Sequence, residues 1–173
     1  GSFTNFPADD SNTKLLARLD WNITNQHRLA LRYNYTKNLS WRSPNATSMD
    51  GGTRVSEARM SQASMSFANS LYSQDNLVHS FAFDLNSRFS NNLSNQLLVT
   101  FSKLDNVRGS TSDPFPFIDI LDAKDYAAGK IMPYISAGYE LFTWNNGVHN
   151  NVVTVKDDVT YFTGNHKITA GLT

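Results

Sequence analysis

Between Lys14 and Tyr35 the chain alternates residue by residue. Leu15, Ala17, Leu19, Trp21 and Ile23 are separated by Lys14, Arg18, Asp20 and Asn22, with Leu16 the single apolar intruder. After Thr24-Asn25-Gln26 the odd positions again carry Leu29, Leu31, Tyr33 and Tyr35, with Arg28, Arg32 and Asn34 between them. A period of two places successive side chains on opposite faces of a strand, so each run has one apolar and one polar face. A helix, with its period of 3.6, cannot sort these residues in that way. Two such runs joined by turn residues make a β-hairpin.

The unit recurs. Phe81, Phe83, Leu85 and Phe89 alternate with Ser80, Ala82, Asp84, Asn86 and Arg88, and beyond Ser90-Asn91-Asn92 come Leu97, Val99 and Phe101. A third copy is marked by Thr163-Gly164-Asn165-His166, which aligns with Thr24-Asn25-Gln26-His27. Upstream of it Val153, Val155, Val159 and Tyr161 alternate one residue out of phase with the other copies, which predicts a bulge or slip near Phe162. The fold class expected is all-β, an antiparallel meander of about six long strands in three hairpins. The chain reads as a single segment with hairpins at about 14–37, 76–104 and 151–173 and long loops at 38–75 and 105–150.

These runs approach the roughly 9–11 residues that a tilted strand needs to cross a bilayer. Connections of a few residues at one end of the strands and long loops at the other are the arrangement of an outer-membrane barrel. Six strands fall short of the roughly eight with which bacterial barrels begin, so a segment of a large barrel is expected. The faces then follow. Leu15, Leu19, Trp21, Leu29, Leu31, Tyr33, Phe81, Phe83, Leu85, Val99 and Phe101 face outward to lipid, and Arg18, Asp20, Arg28, Arg32, Asp84 and Arg88 face the lumen. In the first hairpin, charge pairing favours a register with Asp20 opposite Arg32. The competing architecture is a soluble extracellular β-sandwich that binds glycan or protein through aromatic loops.

Composition narrows the function classes. Fifteen basic and fifteen acidic residues give a net charge of +0, so there is no basic footprint for nucleic acid. The absence of cysteine removes disulfides, thiol nucleophiles and thiolate metal sites. No apolar run nears the roughly 18 residues of a membrane-spanning helix, a signal that barrel strands do not produce. Nothing at the N-terminus resembles a signal peptide, and any targeting segment is expected to lie outside this sequence.

The stretches "NTKLLARLDWNITNQHRLALRYNYT" and "KDDVTYFTGNHKITAG" resemble barrel segments of TonB-dependent outer-membrane receptors, in particular the Oar-like branch of Bacteroidota, related to SusC-like transporters. The resemblance covers Asn12–Lys37 and about Tyr139–Thr173. It implies residence in the bacterial outer membrane, in a barrel of about 22 strands plugged by an N-terminal domain. It also implies nutrient import energised by TonB, which grips a region absent from this sequence. The implied partners are outer-membrane lipid, the remainder of the barrel and its plug, TonB and a surface lipoprotein.

Catalytic signatures are missing. There is no G-x-S-x-G, no H-E-x-x-H and no phosphate loop, and Gly51-Gly52 lacks the flanking strand and helix, so the chain is not expected to be an enzyme or to hold a cofactor. His27 and His166 occupy equivalent turn positions, which suits a positional role better than metal ligation. His79 and His149 have no partner at ligand spacing. Asp50, Asp113, Asp119 and Asp122 lack the calcium-loop pattern and read as solvated loop carboxylates. The segment 105–150 instead concentrates rings: Phe115, Phe117, Tyr126, Tyr134, Tyr139, Phe142 and Trp144, beside the stiff "SDPFPF". Rigid aromatics with polar edges are frequent binding anchors, and Phe115, Phe117, Tyr139 and Trp144 are the candidate ligand contacts. The bland alternative is that these rings pack the loop on itself.

Overall fold

The computed structural model describes residues 2–45, 49–50, 53–54 and 58–173. Its strands are β1 Ser11–Asn22, β2 His27–Arg42, β3 Met49–Asp50, β4 Thr53–Arg54, β5 Met65–Ser66, β6 Tyr72–Arg88, β7 Leu93–Gly109, β8 Ile118–Leu121, β9 Pro133–Ala137, β10 Gly147–Thr163 and β11 His166–Leu172. Six of them form one sheet in the order β1-β2-β6-β7-β10-β11. Partners between β7 and β10 run in opposite directions. The Asn92 side-chain amide donates to the Phe162 carbonyl (3.0 Å), that of Asn95 to Asp157 (2.6 Å), and Asp105 meets His149 (2.6 Å). The chain is all-β, and this sheet is the meander of three hairpins that the alternation implies.

The chain divides into two compact units. One holds Asn12–Lys37, Asn76–Asp105 and Val148–Thr173, and the other Gly1–Ser11, Asn38–Asp75 and Asn106–Gly147. The first contains the alternating hairpins. Its even-numbered polar side chains bond among themselves: Arg18 to Asp20 at 2.6 Å, Arg28 to Asp20 at 3.1 Å, and Asn86 and Gln96 to Asp84 at 2.9 and 3.0 Å. Odd-numbered rings cluster separately. Tyr33 and Phe81 have centroids 4.6 Å apart, and the Tyr33 hydroxyl bonds His79 Nδ1 at 2.8 Å. Asp20 therefore takes a cross-strand arginine, but the partner is Arg28 rather than Arg32.

Among the described residues, nothing covers most of the apolar face. Leu15, Leu19, Trp21 and Phe81 each leave more than half of their surface open, and Leu19, Leu31, Tyr33, Phe81, Phe83 and Phe101 line a shallow apolar groove. Arg18 and Arg32 border that groove from the intervening strand positions, and the Arg18 guanidinium joins the polar network through Asp20. Leu29 departs from the expected pattern because its neighbours cover it to 9% exposure. A β-sandwich would bury this whole face under a second sheet.

The third hairpin corrects one expectation. Pairing of β10 with β11 is unbroken from Asp157↔Leu172 to Thr163↔His166, with no bulge at Phe162. The phase change comes from the turn. In the second hairpin the Phe89 amide donates to the Leu93 carbonyl across three residues, so odd positions meet odd ones. Gly164-Asn165 is a two-residue loop, which pairs Tyr161 with Ile168 and shifts the apolar face from odd to even numbers. Gly164 has φ +56, the left-handed conformation that such tight hairpin turns demand and glycine adopts without a Cβ penalty.

The second unit shows that the two long loops carry structure of their own. β5 pairs parallel to β9, and β8 pairs antiparallel to β9. A 3₁₀ turn, Ala68–Ser70, follows β5, and a short helix α1, Ala123–Ala127, links β8 to β9. Near the N-terminus the Ser2 carbonyl accepts from the Ala68 amide (2.8 Å), and Phe3 stacks on Phe67. Two of the acids read as solvated have defined roles here. Asp122 caps α1, accepting from the amides of Lys124 and Asp125 at 2.9 and 3.2 Å. Asp119 accepts Arg59 Nε at 3.0 Å, Arg59 Nη2 at 2.7 Å and the Ser136 hydroxyl at 2.6 Å. Arg59 also donates to the Asn45 carbonyl. Asp113 is exposed, whereas Gly51, Gly52 and the Asp50 side chain lie outside the described residues.

Candidate functional site: an aromatic cleft

Pro114 and Pro116 restrict φ and keep the 114–117 stretch out of helix and sheet ladder alike. This stretch runs against the residues after β9. The Tyr139 amide donates to the Phe115 carbonyl (3.3 Å). Gly138, with φ +108, makes the approach possible, since a Cβ there would sit 2.2 Å from the Pro116 carbonyl oxygen and 2.8 Å from Phe117 Cα. The chain then turns through residues 141–145, where the Thr143 amide donates to the Glu140 carbonyl (3.2 Å) and Asn145 takes φ +49.

These turns create a cleft of about 390 Å³ lined by Pro114, Phe115, Pro116, Phe117, Tyr139, Glu140, Leu141 and Trp144. All four candidate anchors, Phe115, Phe117, Tyr139 and Trp144, meet there. Phe115 is 58% and Trp144 64% exposed, whereas Phe117 and Tyr139 are half-buried. Tyr126, Tyr134 and Phe142 do not line the cleft. Phe117 is fixed from outside, with the Arg59 guanidinium 5.0 Å from its ring centroid. The Asp119 ion pair thus holds one wall of the cleft through Arg59.

Glu140 is the site residue that sequence inspection misses. Its side chain is fully buried. Oε2 accepts from the Phe142 amide (2.9 Å) and the Thr143 hydroxyl (2.7 Å), with Arg108 Nη1 at 3.9 Å. Oε1 has no hydrogen-bond partner among the described residues. The Arg108 guanidinium lies 4.5 Å from the Tyr72 ring centroid, so its cationic plane is committed to that ring. The available signal was a lone carboxylate inside the apolar run "YISAGYELFTW".

The hairpin unit has a cavity of different character, about 710 Å³, lined by Arg28, Asn86, Arg88, Gln96, Asp158 and Lys167 among other polar residues. It belongs to the polar face of the sheet. The histidines are used locally: His27 Nδ1 bonds the Ser87 hydroxyl (2.9 Å) and His149 bonds Asp105 (2.6 Å).

Set beside known families, residues 2–173 match the one described as outer membrane beta barrel domain. No curated protein and no solved structure matches the chain.

Proposed function

From the premise that this chain belongs to the outer membrane beta barrel domain family, and so to a protein of the bacterial outer membrane, we propose that it is part of a TonB-dependent receptor for nutrient uptake. The aromatic cleft makes the first contact with the ligand. The two stretches that resemble such receptors support the transport reading. The observation that carries the ligand site is the convergence of Phe115, Phe117, Tyr139 and Trp144 in one open cleft.

Lipid is the solvent of the apolar face in this reading. Leu15, Leu19, Trp21 and Phe81 can stay uncovered because hydrocarbon replaces a second layer of protein. Buried ladders need partners on both sides, and lipid-exposed sheet edges do not occur within a bilayer. The outer edges of β1 and β11 therefore pair with further barrel strands. β6, β7 and β10 have 17 residues each, about 55 Å at 3.3 Å per residue, which exceeds the bilayer core and leaves strand to project beyond it.

Trp144→Ala is expected to weaken ligand capture by about 2 kcal/mol, roughly 30-fold in Kd, with an unchanged amount of protein in the membrane. Whole-cell binding and uptake assays read both quantities. Collapsing the proton-motive force should abolish accumulation and leave surface binding intact. Accumulation that persists without an energised inner membrane would contradict TonB-dependent import.

A further inference from the structure

We propose that the cleft selects ligands presenting an alkyl cation, an ammonium or guanidinium group on an aliphatic stem, with Glu140 as its counter-charge. The inference rests on the cleft being the ligand site. Two independent features converge on a cation. The walls are aromatic, and ring faces carry the negative end of the aromatic quadrupole and attract positive groups. Phe117 already holds one on its outer side, the guanidinium of Arg59 at 5.0 Å.

The second feature is Glu140, which lines the cleft and is a fully buried carboxylate with one oxygen unpaired among the described residues. Buried polar oxygens in folded proteins almost always have a donor, and Oε1 has none among the described residues. Arg108 does not fill the need. It lies 3.9 Å from the other oxygen, at the limit of an ion pair, and stacks on Tyr72. Attraction does not depend on direct contact, because a buried charge such as Glu140 is screened less than one in solvent. An anionic ligand would be repelled by the buried charge.

The test is titration of the purified full-length protein in detergent, followed by calorimetry, with Nα-acetyl-arginine amide and with Nα-acetyl-citrulline amide, its neutral isostere. Nα-acetyl-arginine amide should bind at least about tenfold more tightly. In Glu140→Gln the two should fall within about twofold of each other, while Trp144→Ala should weaken both. Equal affinities in the wild-type protein would overturn the cation preference and leave the cleft as a ligand site. Selectivity that survives in Glu140→Gln would overturn the role of that carboxylate. Absence of binding by both probes, with uptake indifferent to Trp144→Ala, would remove the ligand site itself. If Glu140→Gln does not fold, the wild-type comparison of the two amides decides the cation preference.

Discussion

Phe81→Arg is expected to destabilise the protein in lipid vesicles by about 2–4 kcal/mol, the cost of moving a guanidinium to the lipid face near the bilayer midplane. Phe81 is suited to the experiment because it is 53% exposed, and its one ring contact among the described residues is with Tyr33. Asn86→Arg is the control. It lies on the same strand at an exposed, even-numbered position where Asn86 bonds Asp84, and an arginine there gains an acidic neighbour. Its effect should stay within about 0.5 kcal/mol. Urea titrations followed by tryptophan fluorescence give both values. A penalty at Asn86 equal to that at Phe81 would mean that the two faces do not differ in solvent.

Arg59→Ala is expected to cost about 3–5 kcal/mol in the unit built from the two long connections, because it removes the guanidinium that bonds both oxygens of the Asp119 carboxylate. The Arg59 side chain is 2% exposed and Asp119 is half-buried, so water cannot readily replace the lost partner. Hydrogen exchange at the β8 and β9 amides should report the loss, while amides of β10 and β11 keep their protection. Replacing both partners, Arg59→Met with Asp119→Leu, should cost clearly less than Arg59→Ala alone, since no unpaired charge remains. A double replacement as damaging as the single one would show that packing, and not charge, is what Arg59 supplies.

How far the sequence could be read depended on whether a residue's surroundings repeat along the chain. Strands β1, β2, β6 and β7 were legible because their two faces meet different media, which forces a period of two on Leu29 to Tyr35 and on Phe81 to Phe89. Their far ends were not. β2 continues through Asn38-Leu39-Ser40-Trp41 to Arg42, and β7 runs on to Gly109, where no face has to be apolar and the alternation lapses. β5 has two residues, too few to show any period, and finds its parallel partner only at Ile135-Ser136. Asp119 looked like a solvated acid since nothing beside it announces Arg59, 60 residues earlier.

The aromatic anchors were visible as composition, and Pro114 and Pro116 as stiffness. Their meeting in one cleft hangs on Gly138 and its positive φ, a backbone property that a lone glycine in a loop does not disclose. Glu140 was invisible for a similar reason. Its burial depends on Phe142, Thr143 and Arg108 closing around one carboxylate oxygen, a tertiary arrangement with no local pattern.

The chain has no native cysteine, so single cysteines carrying nitroxide labels can be introduced along β6 from Ser80 to Asn86 without background. Accessibility of each label in vesicles to lipid-soluble oxygen and to a water-soluble nickel chelate tests most directly whether this sheet spans the membrane with its odd-numbered face in lipid. The expected result is a period of two, with labels at 81, 83 and 85 reached by oxygen and those at 82, 84 and 86 reached by the chelate. Chelate access at every position, or an alternation of the opposite phase, would contradict a lipid-facing apolar surface.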